Sequence, residues 1–232
     1  MTDLPAIKKI AATVHGWLTE KEGEFLYECA KKCTGKGVIV EIGSWQGKST
    51  VFLGAGSMAH NKIPVYAIDP HAGLPGFEGL QTFPLFQNTI KKAGLSSLIK
   101  PLVMTSAEAA KTFSLPIELL FIDGDHALTA VMLDYHLWFP RLINGGILAF
   151  HDTCSSREIL AWPGPVACVK KNIYCSLYYK NIRIVDTITA AQKTSHARMH
   201  ERSKNKIMFT RRIIQCLFFK IMYACKIILR GN

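Results

Sequence analysis

Short apolar runs recur along this chain, and nearly every one stops beside a glycine or an acid. They are Val38 to Ile42, Val65 to Asp69, Ile99 to Met104, Glu118 to Asp123 and Ile147 to Phe150. Runs this short, apolar on both faces, suit strands buried inside a parallel sheet. The stretches between them read as helices: Lys48 to Ala59, Leu85 to Lys92, Ala107 to Thr112 and Leu128 to Phe139. Residues 6–33 are helical too, with Thr19 and Glu22 spaced as a capping box. Gly145-Gly146 reads as a turn, Val166 to Ile173 as a helix and Ile182 to Thr187 as a late strand. Strands alternating with helices imply an α/β fold, a doubly wound parallel sheet with right-handed crossovers.

The length of 232 residues suits one such domain, residues 1–192, with a short appendage, residues 193–232. Seven cysteines without a CxxC pair read as reduced thiols, which places the chain in the cytoplasm. Lys8 and Lys9 precede no long apolar run, so the N-terminus does not read as a signal peptide. The net charge is +11, but nine basic residues and one acid fall between Arg198 and Arg230. Eight of the eleven charges therefore belong to the tail. A charge placed there argues against nucleic acid as the partner of the main domain.

In a doubly wound sheet, ligands sit at the carboxyl ends of the strands. The polar residues at those ends are Glu41, Asp69, Ser106, Asp123, His151 and Asp152, which outline one crevice. Gly43 and Gly47 follow the first strand, where glycine lets the backbone approach a ligand closely. The helix that starts after Gly47 offers its N-terminus to an anionic group. A Walker loop needs four residues between its first glycine and Gly-Lys-Ser, and this chain has three. The dinucleotide fingerprint needs glycine where Trp45 stands. Asp69 is placed to hydrogen-bond the ribose of a nucleoside ligand; read alone, it is a turn acid before Pro70.

Asp123-Gly-Asp-His126 closes the fourth strand. Asp123 can orient a cofactor or take a divalent cation. His126 can act as a general base, because an imidazole accepts a proton near neutrality. The plainer reading makes His126 a helix-terminal residue bonded to Asp123 or Asp125. Asp152, on the next strand, pairs with Asp123 as a set for Mg²⁺ or Mn²⁺, or else caps its own loop.

Four segments together resemble a known family: Gly16 to Gly23, Glu41 to Thr50, Phe121 to His126 and Gly145 to Thr153. They are similar to class I S-adenosylmethionine-dependent methyltransferases of the methyltransferase-24 type, such as macrolide-sugar O-methyltransferases. The resemblance spans about residues 14–190. It implies a Rossmann-like seven-stranded sheet whose last strand pair is antiparallel. It implies the methionine end of the cofactor over Gly43, Ser44, Gly47 and Ser49, the ribose on Asp69, and adenine near Ser106 and Ala107. Metal-dependent members carry an acid at the position of Asp123 and an acidic or amide pair at the fifth strand end. Here that pair is His151-Asp152, so one ligand position is a histidine.

The expected activity is methyl transfer to a hydroxyl of a small molecule or glycan, with His126 and Asp123 as catalytic residues. A binding module that keeps the fold at a membrane without turnover is one rival, and an RNA methyltransferase is another. The loop from Ala72 to Pro84 is expected to shape the acceptor pocket. In the tail, Ile214, Leu217, Phe218, Ile221, Cys225 and Ile228 recur at helical spacing, opposite Arg212, Lys220, Lys226 and Arg230. A basic amphipathic helix of this kind suits an anionic membrane surface, here the inner face of the membrane. The competing covers are the protein's own core or a second subunit in a homo-oligomer.

Overall fold

The computed structural model describes residues 3–73, 77, 79–154 and 163–230. The side chains of residues 219, 220 and 222–230 lie outside this description, and so do residues 74–76 and 78 of the expected pocket loop. The elements in order are α1 (Leu4–Ala12), α2 (Glu20–Lys31), β1 (Val38–Ile42), α3 (Lys48–Met58), β2 (Val65–Ile68), α4 (Thr82–Lys92), β3 (Ile99–Leu102) and α5 (Ser106–Thr112). There follow β4 (Ile117–Ile122), α6 (Leu128–Trp138), β5 (Leu142–Phe150), α7 (Pro163–Val169), β6 (Tyr179–Val185), β7 (Ile188–Lys193) and α8 (Met199–Arg230).

Seven strands form one sheet in the order β3-β2-β1-β4-β5-β7-β6. The first five are parallel, and β7 pairs antiparallel with both β5 and β6. The order turns back between β1 and β4, which opens the crevice at their carboxyl ends. Both faces of the sheet are covered, and β4 shows how. Leu119 and Phe121 join one core with α1, α2 and α3, while Leu120 and Ile122 join the other with α6 and α7. Side chains on a strand buried on both sides are mainly apolar, and Glu118, the polar exception in β4, accepts from the Thr34 and Gly35 amides.

The capping box at Thr19 forms as the sequence predicts, with Thr19 and Glu22 each bonding the other's backbone. Two expectations are corrected. Gly145-Gly146 is not a turn but the interior of β5, which begins at Leu142 and slips register against β4. A Cβ on Gly146 would stand 3.0 Å from the Glu118 carbonyl oxygen, so glycine there relieves crowding within the sheet. The thiols are not all reduced: Cys154 and Cys216 form a disulfide, with Cα atoms 5.8 Å apart. Cys29, Cys33, Cys168 and Cys175 are free. A separate β7 is a further element, reached through a turn in which Asp186 has φ 44°.

The tail begins where β7 ends, and its helix returns to the domain. Asn205 donates to the Tyr179 carbonyl, and Met208 and Phe209 pack on the core beside Tyr174. Arg212 is buried and donates to the carbonyls of Asp186 and Thr187 and to the Thr153 hydroxyl.

Beneath the first strand-end turn lies a buried acid. Glu41 has no exposed surface and accepts a 2.5 Å hydrogen bond from the Thr50 hydroxyl. Burial pushes its carboxyl up to about 8 against the pull of the Ser49 and Thr50 hydroxyls. The ordinary value is 4.5, so the fold favours the protonated form. The stability this gives is complete below about pH 4.5 and is lost as pH rises through 8. Thermal melts between these limits should therefore show a falling Tm, and Glu41→Gln should flatten that fall. An unchanged slope in the variant would remove Glu41 as its source.

Candidate active site

The first turn is built by β1 and α3. Gly43 has φ 86°, and a Cβ there would stand 2.1 Å from the Asp123 carbonyl oxygen. Gly47 has φ 89° and faces Phe86, Thr89 and Ile90. Both glycines thus answer to this chain's own packing as well. Ser44 is buried with no partner for its hydroxyl among the described residues. Trp45 takes the left-handed conformation, φ 47°, which is strained for a bulky residue.

Asp69 explains how that strain is held. One carboxylate oxygen accepts from the Trp45 amide at 2.8 Å and the other from the His71 amide at 2.7 Å. The acid at the end of β2 therefore ties the first two strand-end turns together. His71, also left-handed at φ 51°, contacts the Thr82 hydroxyl at 3.0 Å, and burial lowers its pKa. Around Trp45 stand Trp17 and Phe77, with ring centroids 6.4 and 5.6 Å away. Phe77 belongs to the loop expected to shape the acceptor pocket, whereas Trp17 and His71 were not named as site residues, because neither lies at a strand end.

Ser106 opens α5, with Ala107 next to it. The Ser106 hydroxyl bonds Asp134 of α6. Burial raises the Asp134 carboxyl to about 6. Asp134 sits in a helix interior, so no strand-end rule could find it.

The densest chemistry lies at the ends of β4 and β5. His151 is almost fully enclosed, and its Nε2 meets a Glu22 carboxylate oxygen at 3.3 Å. Its Nδ1 stands 3.1 Å from Asp123 and 3.2 Å from Asp152, as ion-pair contacts. Burial alone would disfavour the imidazolium, yet the three carboxylates raise its pKa well above 6.5. Asp152, with φ 52°, also contacts His126 Nε2 at 3.0 Å. Burial opposes the Asp152 carboxylate, but the two histidines hold it well below its usual range. Burial raises Asp123, against the pull of His151. A small cavity bordered by Asp123, Gly124, His126, His151 and Pro165 opens at this cluster.

The structure thus brings Asp123, His126, His151 and Asp152 together. Of the expected ligand set, His151 has Nε2 toward Glu22 and Nδ1 toward Asp123 and Asp152, the other two members. Donor atoms from Asp123, His126 and Asp152 also lie within 4.8 Å of one another. Glu22 was read only as half of a capping box, yet it also accepts from the Thr187 amide and hydroxyl at 2.8 and 2.6 Å.

A methyltransferase-domain family model matches residues 40–153. Among solved structures, the chain is similar to the O-methyltransferase TomG from Streptomyces achromogenes in complex with S-adenosylmethionine. Identity there is 14%, the TM-score is 0.60, and 82% of this chain and 90% of that chain are covered. The O-methyltransferase NovP matches at 17% identity and TM-score 0.57, over 79% of this chain and 84% of its own. An rRNA methylase from Streptococcus thermophilus matches at 14% identity and TM-score 0.53, over 79% of this chain and 100% of its own. Likeness at these identities speaks for the fold. The chain has the Rossmann-like methyltransferase fold, and its residues 40–153 match the methyltransferase-domain family model.

Proposed function

We propose that this protein transfers a methyl group from S-adenosylmethionine to a hydroxyl of a small molecule or glycan. The observation that carries the reading is the cluster of Asp123, His126, His151 and Asp152 beside the Gly43 turn. S-adenosylmethionine bound in TomG and the O-methyltransferase names of TomG and NovP support it.

In this reading the methionine end of the cofactor lies over Gly43, Ser44, Gly47 and Ser49. The Ser44 hydroxyl, without a partner among the described residues, is offered as a contact. The ribose hydroxyls donate to Asp69, whose oxygens each retain accepting capacity beyond one backbone amide. Adenine lies near Ser106 and Ala107, with Asp134 fixing the Ser106 hydroxyl. Glu41, fully enclosed, supports the turn from beneath.

The sulfonium is already electrophilic, so the protein must align the acceptor oxygen with the methyl carbon and take up a proton. The new O–C bond forms as the C–S bond breaks, leaving S-adenosylhomocysteine. His126 accepts the hydroxyl proton, and Asp152 stabilises the resulting imidazolium. His151, itself held by Asp123, keeps Asp152 in place.

A second reading rests on the donor set of Asp123, His126 and Asp152. Two carboxylates and one imidazole suit Mn²⁺ better than Mg²⁺. A cation bound there would lower the pKa of the acceptor hydroxyl. The RNA reading has less support, because it rests on net charge and on a likeness to one rRNA methylase at 14% identity. A binding module without turnover would keep the cofactor contacts and gain nothing from His126.

The test is a screen of metabolite extracts with labelled S-adenosylmethionine, with and without EDTA. His126→Ala should cut turnover by about 10²–10⁴-fold with cofactor affinity nearly unchanged. Asp69→Ala should weaken cofactor binding by about 1–3 kcal/mol. Turnover that survives EDTA would remove the metal. Calorimetry showing no affinity for S-adenosylmethionine or S-adenosylhomocysteine would overturn the whole reading.

A further inference from the structure

The helix α8 docks on the domain through residues spaced i, i+3, i+4, i+7 and i+11: Asn205, Met208, Phe209, Arg212 and Cys216. At 100° per residue these fall on one side of the helix. Two of the five are an amide and a guanidinium, both buried. The opposite side carries Ile207, Ile214, Leu217 and Ile221, which are 66, 61, 53 and 62% exposed. The helix therefore buries polar groups against its own protein and turns aliphatic side chains outward. A helix covered only by this domain would have the reverse arrangement.

The charges beside the outward stripe indicate what covers it. Ile207, Ile214 and Ile221 recur every seven residues, with Leu217 one turn from both of the latter. Lys206 flanks the stripe on one side, and Lys204 and Arg211 flank it on the other, all three exposed. Glu201 is the sole acid in α8. Basic groups bordering an aliphatic stripe on both sides suit a helix lying in a lipid surface, its apolar side chains among the acyl chains and its cations among anionic headgroups. Among the described residues, no helix is long and apolar enough to cross a membrane. We propose that α8 lies in the surface of an anionic bilayer through Ile207, Ile214, Leu217 and Ile221, with Lys204, Lys206 and Arg211 on the headgroups.

The anchorage of α8 gives the contact a consequence for the site. Arg212 bonds Thr153, and Cys216 is joined to Cys154, the two residues directly after Asp152. One helix diameter, about 10 Å, then separates the β5 end from the lipid. The proposal rests on α8 alone and is independent of the chemistry assigned to the site.

Its test is cosedimentation of the full-length protein with phosphatidylcholine vesicles containing about one third phosphatidylglycerol. Binding is expected at low salt, with loss as salt rises and none to pure phosphatidylcholine. Ile214→Asp and Leu217→Asp should each lower partition by about tenfold. Lys206→Glu should lower it by at least about fivefold. Because all three positions are exposed, near-UV circular dichroism and S-adenosylhomocysteine binding should be unchanged in the variants. Full-length protein left in the supernatant at low salt would overturn the proposal. So would light scattering that shows a dimer dissociated by Ile214→Asp without lipid binding, which would make the stripe a contact between copies of this chain.

Discussion

An imidazole enclosed by three carboxylates organises this molecule. His151 has Glu22 on one side and Asp123 and Asp152 on the other. Burying any of these charges alone would be expensive, and removing one partner from such a set typically costs about 3–5 kcal/mol. Glu22 also accepts from Thr19 and from both donors of Thr187. One carboxylate thereby joins the start of α2, the β6–β7 turn and the ends of β4 and β5. The aspartates facing the crevice owe their position to a network whose far end is the N-terminus of a helix.

The same joining of elements recurs at the other end of the crevice. Asp69 holds Trp45 and His71 in left-handed conformations by accepting from their amides. Asp152 is left-handed too. Backbone strain of this kind persists only where the surroundings over-determine it. Here the surroundings are charged groups aimed at the turns on both flanks of the crevice.

How legible this was in the sequence follows from the range of each interaction. Strands β1 to β5 are short apolar runs with a polar stop, a local pattern, and so the strand-end residues could be named beforehand. The Thr19–Glu22 box is local as well. The second role of Glu22 was hidden, because its partner His151 is 129 residues away. His151 was named from its position at the end of β5, and only the fold shows its ring between Glu22 on one side and Asp123 and Asp152 on the other. Gly145-Gly146 looked like a turn because a register slip inside a sheet leaves the same glycine signature. The Cys154–Cys216 disulfide, with a separation of 62 residues, depends on α8 folding back, and nothing in the spacing of the cysteines announces that.

The tail shows the same limit from the other side. Its amphipathic character is local and was readable. Which face meets the domain is not local, since Asn205 and Arg212 find their carbonyl partners on Tyr179, Asp186 and Thr187. Those contacts decide that the aliphatic stripe points outward, and they fix α8 to the rim of the crevice.

The charge state of His151 is the most direct measure of this account. A pH titration of the histidine ring signals by heteronuclear NMR, with His151→Gln to assign the resonance, reads it without reference to any substrate. The account predicts an imidazolium that persists well above pH 6.5, with its loss at higher pH accompanied by shifts at Asp123 and Asp152. A His151 that is neutral at or below pH 6.5 would contradict it.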